Sequence, residues 1–164
     1  MKFDQLELKS DKSFLIGQLQ FDYNRVDFNE FSDKVKISGH FNKSTIDLEE
    51  LNQLYNEFGS NQSAIINTSF SGTLNNLVFD TFDLKTNRNT DIKGKVQFKN
   101  LFNSAPDNFE MDGEFQTISS SYTELKALLP RVLGDRIPSN VKTLGRFEMH
   151  GTARVTTKVV ETKM

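Results

Sequence analysis

The residues of this chain that could carry chemistry are two histidines, a few neighbouring aspartates and one run of serines. His40 follows Gly39 and His150 precedes Gly151, and both histidines fall at polar positions of predicted strands. A metal site built on this pair would need more ligands than the surrounding sequence offers. Solvated strand side chains are the simpler interpretation of both histidines.

The acidic and hydroxyl residues match no catalytic pattern. Asp80 with Asp83, and Asp107 with Asp112, spell no calcium-binding loop. The serines at 119–121 fit a helix N-cap better than a nucleophile, because no Gly-x-Ser-x-Gly turn is present. The chain also has no cysteine and no glycine-rich phosphate loop. We therefore predict no catalytic residue, no metal and no cofactor, and a protein that is not an enzyme.

The charge and hydropathy of the chain exclude some classes of binding partner. The formal net charge is -2, and residues of both signs are interspersed along the chain. The sequence therefore has no basic patch that could bind a phosphate backbone, and we do not expect nucleic acid as a partner. No segment approaches the roughly 20 apolar residues of a membrane-spanning helix, and the N-terminus lacks the apolar stretch of a signal peptide. We expect a soluble piece whose parent, if exported or anchored, carries the responsible segment elsewhere.

A glycine-centred strand pattern, apolar residue, any residue, glycine, any residue, apolar residue, occurs six times. The six matches are Leu15-Gly17-Leu19, Ile37-Gly39-Phe41, Phe70-Gly72-Leu74, Ile92-Gly94-Val96, Met111-Gly113-Phe115 and Met149-Gly151-Ala153. Alternation puts these residues on one side of a strand. Because glycine weakens a strand interior, it indicates a sharply bent sheet or a close approach of another group. We predict a mainly β fold, a curved antiparallel β-groove or half-barrel with one wet face.

Two segments have helical rather than strand spacing. The first, 47–58, starts with Asp47 and has Glu50 three residues later, and Gly59 follows it. The second, 121–133, starts with Ser121 and has Glu124 three residues later. Both carry an apolar stripe. We predict two amphipathic helices, the second kinked at its proline.

Several markers recur at near-constant spacing. Gly17 and Gly94 are 77 residues apart, Gly39 and Gly113 74, Gly59 and Gly134 75, Gly72 and Gly151 79, and Glu50-Leu51 recurs 74 residues later as Glu124-Leu125. The spacing predicts two β-rich repeats of about 75 residues, each with one amphipathic helix. The first spans 13–90 and the second, which is truncated, spans 91–164, after an N-terminal lead-in at 1–12. Such an array buries each unit against its neighbours, which indicates a fragment of a longer protein.

The apolar strand faces together form the candidate binding surface. Its residues are Ile37, Phe41, Phe70, Leu74, Val96, Phe98, Met111, Phe115, Phe147 and Met149. Two interpretations stay open at this point. The surface is either the packed core of a closed β-sandwich roofed by the two helices, or a partly open trough that takes acyl chains.

The C-terminal third carries a family resemblance. Its elements are a Ser-Tyr-Thr-Glu-Leu-Lys-Ala-Leu-Leu-Pro segment from Ser121, Ile137-Pro138, and Leu144-Gly145 before a strand. This order resembles TamB/AsmA-like translocation and assembly proteins of the Bacteroidetes type, as does the Thr-x-Ile-x-Gly strand at 90–94. The resemblance covers residues 35 to the end. The first unit lacks the Leu-Leu-Pro element, and residues 1–29 match nothing in the family.

The resemblance implies a non-catalytic segment of a long periplasmic β-groove whose parent is anchored in the inner membrane. The implied work is phospholipid transport between inner and outer membranes, or outer-membrane protein assembly. The implied partners are phospholipid acyl chains, neighbouring repeats of the parent chain and an outer-membrane barrel. The alternative function is a closed β-sandwich adhesion or carbohydrate-binding module, against which the absence of Trp and the placement of Phe on the buried face both count.

Overall fold

The computed structural model describes residues 1–52, 58–100, 108–130, 139–156 and 160–163. Nine strands form one sheet in which each strand lies next to its neighbours in the chain. The strands are β1 (Lys2–Lys9), β2 (Phe14–Asp22), β3 (Lys36–Asp47), β4 (Ser63–Thr73), β5 (Asn76–Thr86), β6 (Asp91–Lys99), β7 (Glu110–Ser121), β8 (Arg146–Thr156) and β9 (Val160–Lys163). All neighbours are antiparallel.

This architecture confirms the prediction of a mainly β, antiparallel fold. The sheet is not closed, because β1 and β9 lie at its opposite edges. The six glycine-centred segments fall in β2, β3, β4, β6, β7 and β8, except that Leu74 lies in the turn after β4. The N-terminal lead-in is itself structured, since Lys2–Lys9 forms the first edge strand.

Short helices join some of the strands. They are α1 (Phe31–Lys34), α2 (Leu48–Leu51), α3 (Tyr122–Leu128) and two 3-10 helices at Arg25–Glu30 and Ser139–Leu144. Helix α2 begins where expected, because the Asp47 carboxylate accepts hydrogen bonds from the N–H groups of Glu49 and Glu50. Helix α3 begins with a capping box between Ser121 and Glu124. The remainders of the two predicted helices at 53–57 and 131–133 lie outside the described residues.

Irregular pairing interrupts the ladders in the middle of several strands. The register shifts lie between Phe41 and Ser44 in β3, between Phe79 and Phe82 in β5, and between Phe115 and Ile118 in β7. Each shift places one extra residue on the irregular strand, which is a β-bulge. Residues three apart therefore return to the same face. The face that carries Phe41, Phe79 and Phe115, which we call the apolar face, continues past each bulge.

One end of the apolar face is covered by helices. Leu48 of α2, Ala64 of β4 and Leu128 of α3 form a buried cluster. Half-buried residues packed against it are Ile46, Leu51, Phe58, Ile66, Leu84, Ile92 and Leu129. The Gly59 N–H donates to the Leu128 carbonyl at 3.0 Å, which joins the segment after α2 to the end of α3. The two helices thus form a common cover over this end.

The connection between β2 and β3 lies at the opposite end of the sheet. Val35, Ile37 and Leu77 are buried there. The Asn75 N–H donates to the Ser32 carbonyl at 3.0 Å, which ties α1 to the turn between β4 and β5. The apolar face is therefore buried at both ends. Between them Val96 is buried, whereas Phe41, Phe70 and Phe79 are half-buried.

Glu50 of α2 forms hydrogen bonds with the turn between β1 and β2. Its carboxylate accepts hydrogen bonds from the hydroxyls of Ser10 and Ser13 and from the Lys12 N–H. The two hydroxyl hydrogen bonds, more than the backbone one, lower the pKa of Glu50 below its ordinary value of 4.5. The carboxylate is therefore favoured in the folded protein.

Replacing Glu50 with glutamine is expected to remove a pH-dependent part of the stability. Because the folded pKa is lowered, the contribution of Glu50 is present above pH 4.5 and is lost as pH falls through the folded value. The difference in melting temperature between wild type and Glu50→Gln should shrink on acidification from pH 7 to pH 3. Glu114→Gln, an exposed change on β7, is the control. A difference that stays constant with pH would contradict this assignment.

Candidate functional site

The strand register brings the predicted surface residues onto one face. Directly opposed residues of an antiparallel pair share a face. The pairs are Ile37 with Gly72, Gly39 with Phe70, Val96 with Gly113, Phe98 with Met111, Gly94 with Phe115, Ser120 with Phe147, and Ile118 with Met149. All these pairs lie on the apolar face, in β3, β4, β6, β7 and β8.

The predicted residues on this face differ in burial. Ile37 and Val96 are buried, with exposed fractions of 7% and 3%. The other eight, Phe41, Phe70, Leu74, Phe98, Met111, Phe115, Phe147 and Met149, are half-buried. The predicted set thus contains both core residues and accessible ones.

Phenylalanine rings form a continuous row across the middle of the apolar face. Ring centroids are 5.7 Å apart for Phe41 and Phe70, 5.4 Å for Phe70 and Phe79, 5.6 Å for Phe79 and Phe98, and 6.3 Å for Phe98 and Phe109. These separations are typical of favourable aromatic pairs. We call these five residues the phenylalanine row, which crosses β3 to β6 and ends in the segment before β7.

Sequence reasoning missed the centre of this row. Phe79 contacts Phe70, Phe82 and Phe98, and it lies on β5, which has no glycine. The sequence predicts a strand here, at 77–86, but the glycine-centred pattern does not select Phe79 as a surface residue. Strict alternation also puts Phe79 and Phe82 on opposite faces, whereas the bulge between them brings both to the apolar face. The alternation of Leu77 and Phe79 was the available signal.

Close approach explains several strand glycines. A Cβ atom on Gly39 would lie 2.5 Å from Cζ of Phe70, the residue directly opposite on β4. A Cβ on Gly17 would overlap the His40 carbonyl, and one on Gly94 would lie 2.9 Å from Cα of Phe115. The absent side chains thus make room for a ring or for a neighbouring backbone.

The opposite face of the sheet is polar. Arg154 lies 3.3 Å from Glu110 and 3.7 Å from Asp112, and Lys99 lies 3.3 Å from Glu110. Lys99 and then Arg154 lower the pKa of Glu110. An open depression of about 720 Å³ lies on this side, lined by residues of β5 to β9 that include Lys95, Asp112, Glu114, Arg154, Glu161 and Lys163. Both signs of charge line it, so this depression has no marked preference for a charged ligand.

The histidines, serines and aspartates considered above as candidate catalytic or metal-binding residues do not come together in a site. The His40 ring is hydrogen-bonded to the Ser69 hydroxyl at 2.8 Å on the exposed polar face. Ser120 is buried against Thr90, with hydroxyls 2.7 Å apart, and Ser121 caps α3. His150 and Asp80 are exposed. Asp107 lies outside the described residues, and among those described no three His, Asp or Glu side chains are grouped to hold a metal.

Comparisons with known proteins give no relatives. No protein-family model, no curated protein and no solved structure matches the chain significantly. None of the helices in the described ranges has the length and apolar content that a bilayer-spanning segment requires.

Proposed function

We propose that the chain is a non-catalytic β-groove segment whose apolar face takes up the acyl chains of phospholipids. The observation that carries this proposal is the half-buried phenylalanine row. The row crosses the sheet between the end covered by α2 and α3 and the end covered by the connection between β2 and β3. Burial of apolar surface contributes about 25 cal/mol per Å², or about 0.8 kcal/mol per methylene group. An acyl chain lying along the row therefore gains affinity with each methylene that leaves water.

We further infer that the sheet consists of two copies of one unit, β2 to β5 with α2 and β6 to β9 with α3. Corresponding pairs have the same register. Gly17 faces Phe41 as Gly94 faces Phe115, and Leu19 faces Gly39 as Val96 faces Gly113. Each unit also has a bulge after Phe41 or Phe115 and a helix that starts seven residues later, at Leu48 or Tyr122.

One predicted correspondence in the repeat does not fit this register. Gly72 lies opposite Ile37, whereas Gly151 lies opposite Phe115. Because Phe115 corresponds to Phe41, the counterpart of Gly151 is Thr68, which lies opposite Phe41. The longer connection after α3 shifts β8, so these two glycines share a sequence pattern without sharing a position.

The alternative, a β-sandwich adhesion or carbohydrate-binding module, has less support. A sandwich packs two sheets face to face, whereas all strands in the described ranges belong to one sheet. Sugar sites also present exposed aromatic rings beside polar groups. Here the rings of the phenylalanine row pack against one another on the apolar face, and the ion pairs of Lys99 and Arg154 with acidic residues lie on the other face.

A continuous groove made of repeats suits a TamB/AsmA-like envelope protein, the family that residues 35 to 164 resemble. We therefore place the segment in the periplasm, within a parent anchored in the inner membrane and working with an outer-membrane barrel. Neighbouring repeats of the parent would continue the apolar face. Phospholipid transport between membranes, or outer-membrane protein assembly, is the proposed work of that parent.

Native mass spectrometry with lipid extraction tests acyl-chain binding. The chain purified from bacterial periplasm or membranes is expected to carry phospholipid at a defined stoichiometry. Delipidated protein should regain phospholipid from vesicles and show no binding to a panel of oligosaccharides. A compact, lipid-free monomer that stays lipid-free with vesicles would refute the proposal, and sugar binding would favour the alternative.

A further inference from the structure

The two units differ at one position of the apolar face, where the second unit has a methionine. Met111 lies opposite Phe98 on β6, just as Ile37 lies opposite Phe21 on β2. Ile37 is buried, with an exposed fraction of 7%, whereas Met111 is half-buried. The second unit thus has a partly accessible thioether where the first unit has a side chain without a reactive atom.

Met111 lies between two phenylalanine side chains. Phe98, a member of the phenylalanine row, is directly opposite on β6, and the Cβ atoms of directly opposed residues are about 4.5–5.5 Å apart. On β7 itself, a Cβ on Gly113 would overlap the ring of Phe115, so this ring leans along the strand towards Met111. Met111 therefore occupies the apolar face between Phe98 and Phe115.

The partial exposure of Met111 does not result from a sheet edge. The strands on both sides of it are paired at this position, with Phe98 on β6 and Val155 on β8. The thioether is therefore reached from above the apolar face. That is the side from which an acyl chain would also bind.

We propose that Met111 is an oxidation site through which peroxides weaken acyl-chain binding. The proposal rests on the proposed function and adds the response of that surface to oxidants. A sulfur lone pair attacks one oxygen of hydrogen peroxide, and the O–O bond breaks as the S–O bond forms. The departing hydroxide takes the proton of the transferred oxygen and becomes water. The thioether loses two electrons and becomes a sulfoxide, which is polar.

The surroundings of Met111 offer the sulfoxide oxygen no hydrogen-bond donor side chain. Phe98 and Val155 lie opposite, and Gly113 is the next residue of β7 on the same face. Water can hydrate the oxygen only while the face above it is empty. An acyl chain bound there would bury the oxygen without a partner, which is unfavourable. We expect oxidation to lower phospholipid affinity about tenfold.

The repeat supplies matched substitutions for the test. Met149 lies opposite Ile118 as Ile66 lies opposite Ser44, each the first paired residue after a bulge. Met149→Ile therefore installs the residue of the first unit and removes the other methionine of the strands in the described ranges. Met111→Ile does the same at the proposed site. The two proteins to compare are Met149→Ile and Met149→Ile combined with Met111→Ile.

Peroxide treatment followed by lipid binding tests the site. Both delipidated proteins receive the same dose, and peptide mapping by mass spectrometry measures oxidation at each methionine, with Met1, 60% exposed, as the internal reference. Binding to vesicles of phosphatidylethanolamine and phosphatidylglycerol should fall about tenfold for Met149→Ile and stay unchanged for the double variant. Methionine sulfoxide reductases should restore the lost binding. Bound phospholipid should slow oxidation of Met111 and leave that of Met1 unchanged.

Met111→Gln gives a second measurement that needs no oxidant, because its amide is polar and of similar length. Circular dichroism establishes which of the proteins are folded, and the folded glutamine variant should lose the same affinity. Full lipid binding by protein oxidised at Met111, or by folded Met111→Gln, would overturn the inference and leave the proposed function in place. Untreated protein that binds no phospholipid would overturn the proposed function and this inference with it.

Discussion

Phe70→Glu is expected to remove bound phospholipid from a protein that still folds. Phe70 lies within the phenylalanine row, between the rings of Phe41 and Phe79. A carboxylate there replaces apolar contact surface and must stay hydrated, which opposes hydrocarbon burial. Loss of one aromatic contact is worth about 2 kcal/mol, or roughly thirtyfold in affinity. Native mass spectrometry and vesicle pull-down of the delipidated protein measure the effect.

The matched control for this change is Ser71→Glu. Ser71 is the next residue of β4, is exposed and points to the polar face. Ser71→Glu adds the same charge at almost the same place in the sheet but on the polar face. It should therefore leave lipid binding unchanged. Far-UV circular dichroism and melting temperature establish that both variants fold. Equal lipid loss in both variants, or retention of lipid by folded Phe70→Glu, would show that the apolar face is not the binding surface.

A second pair, Phe115→Glu and Gln116→Glu, repeats the comparison on β7. Phe115 is half-buried on the apolar face, and Gln116 is exposed within the β7 bulge. Lipid loss from Phe115→Glu alone is expected if the binding surface extends into the second unit. Loss confined to Phe70→Glu would limit the surface to the first unit.

Gly17→Ala is expected to destabilise the sheet strongly. The new Cβ would overlap the His40 carbonyl oxygen and lie 2.9 Å from Cα of Phe41. Both are backbone atoms of β3, so the β2–β3 ladder itself would have to separate. Overpacking of this kind costs about 3 kcal/mol, or roughly 6–12 °C in melting temperature for a chain of this size. Thermal and urea unfolding measure the loss.

Gly39→Ala is the comparison that isolates backbone contact from side-chain contact. The nearest atoms to its added Cβ are Cζ and Cε1 of Phe70, at 2.5 and 2.7 Å. The ring can rotate away, whereas the carbonyl facing Gly17 cannot. We expect Gly39→Ala to lose less stability than Gly17→Ala. The reverse order would mean that the ring against Gly39 is held more firmly than the β2–β3 ladder.

Local rules predicted much of this fold because they act over only a few residues. Alternating apolar and polar residues, as in 92–99, determine which face of a strand is buried, whatever its partner. The N-caps at Asp47 and Ser121 depend on side chains two or three residues from the helix start. The prediction of a mainly β chain and the starts of two helices required nothing more distant.

The sequence by itself determined the positions of the glycine-bearing strands, the segregation of polar and apolar faces, and most of the surface on which acyl-chain binding is proposed. Only the tertiary structure decided which residues meet on that surface. Phe79 joins the phenylalanine row because pairing with β4 and β6 sets its register, and the bulge after it reverses simple alternation. Likewise, Gly72 and Gly151 share a local pattern but lie opposite different residues. Register depends on contacts between distant segments, which local periodicity does not contain.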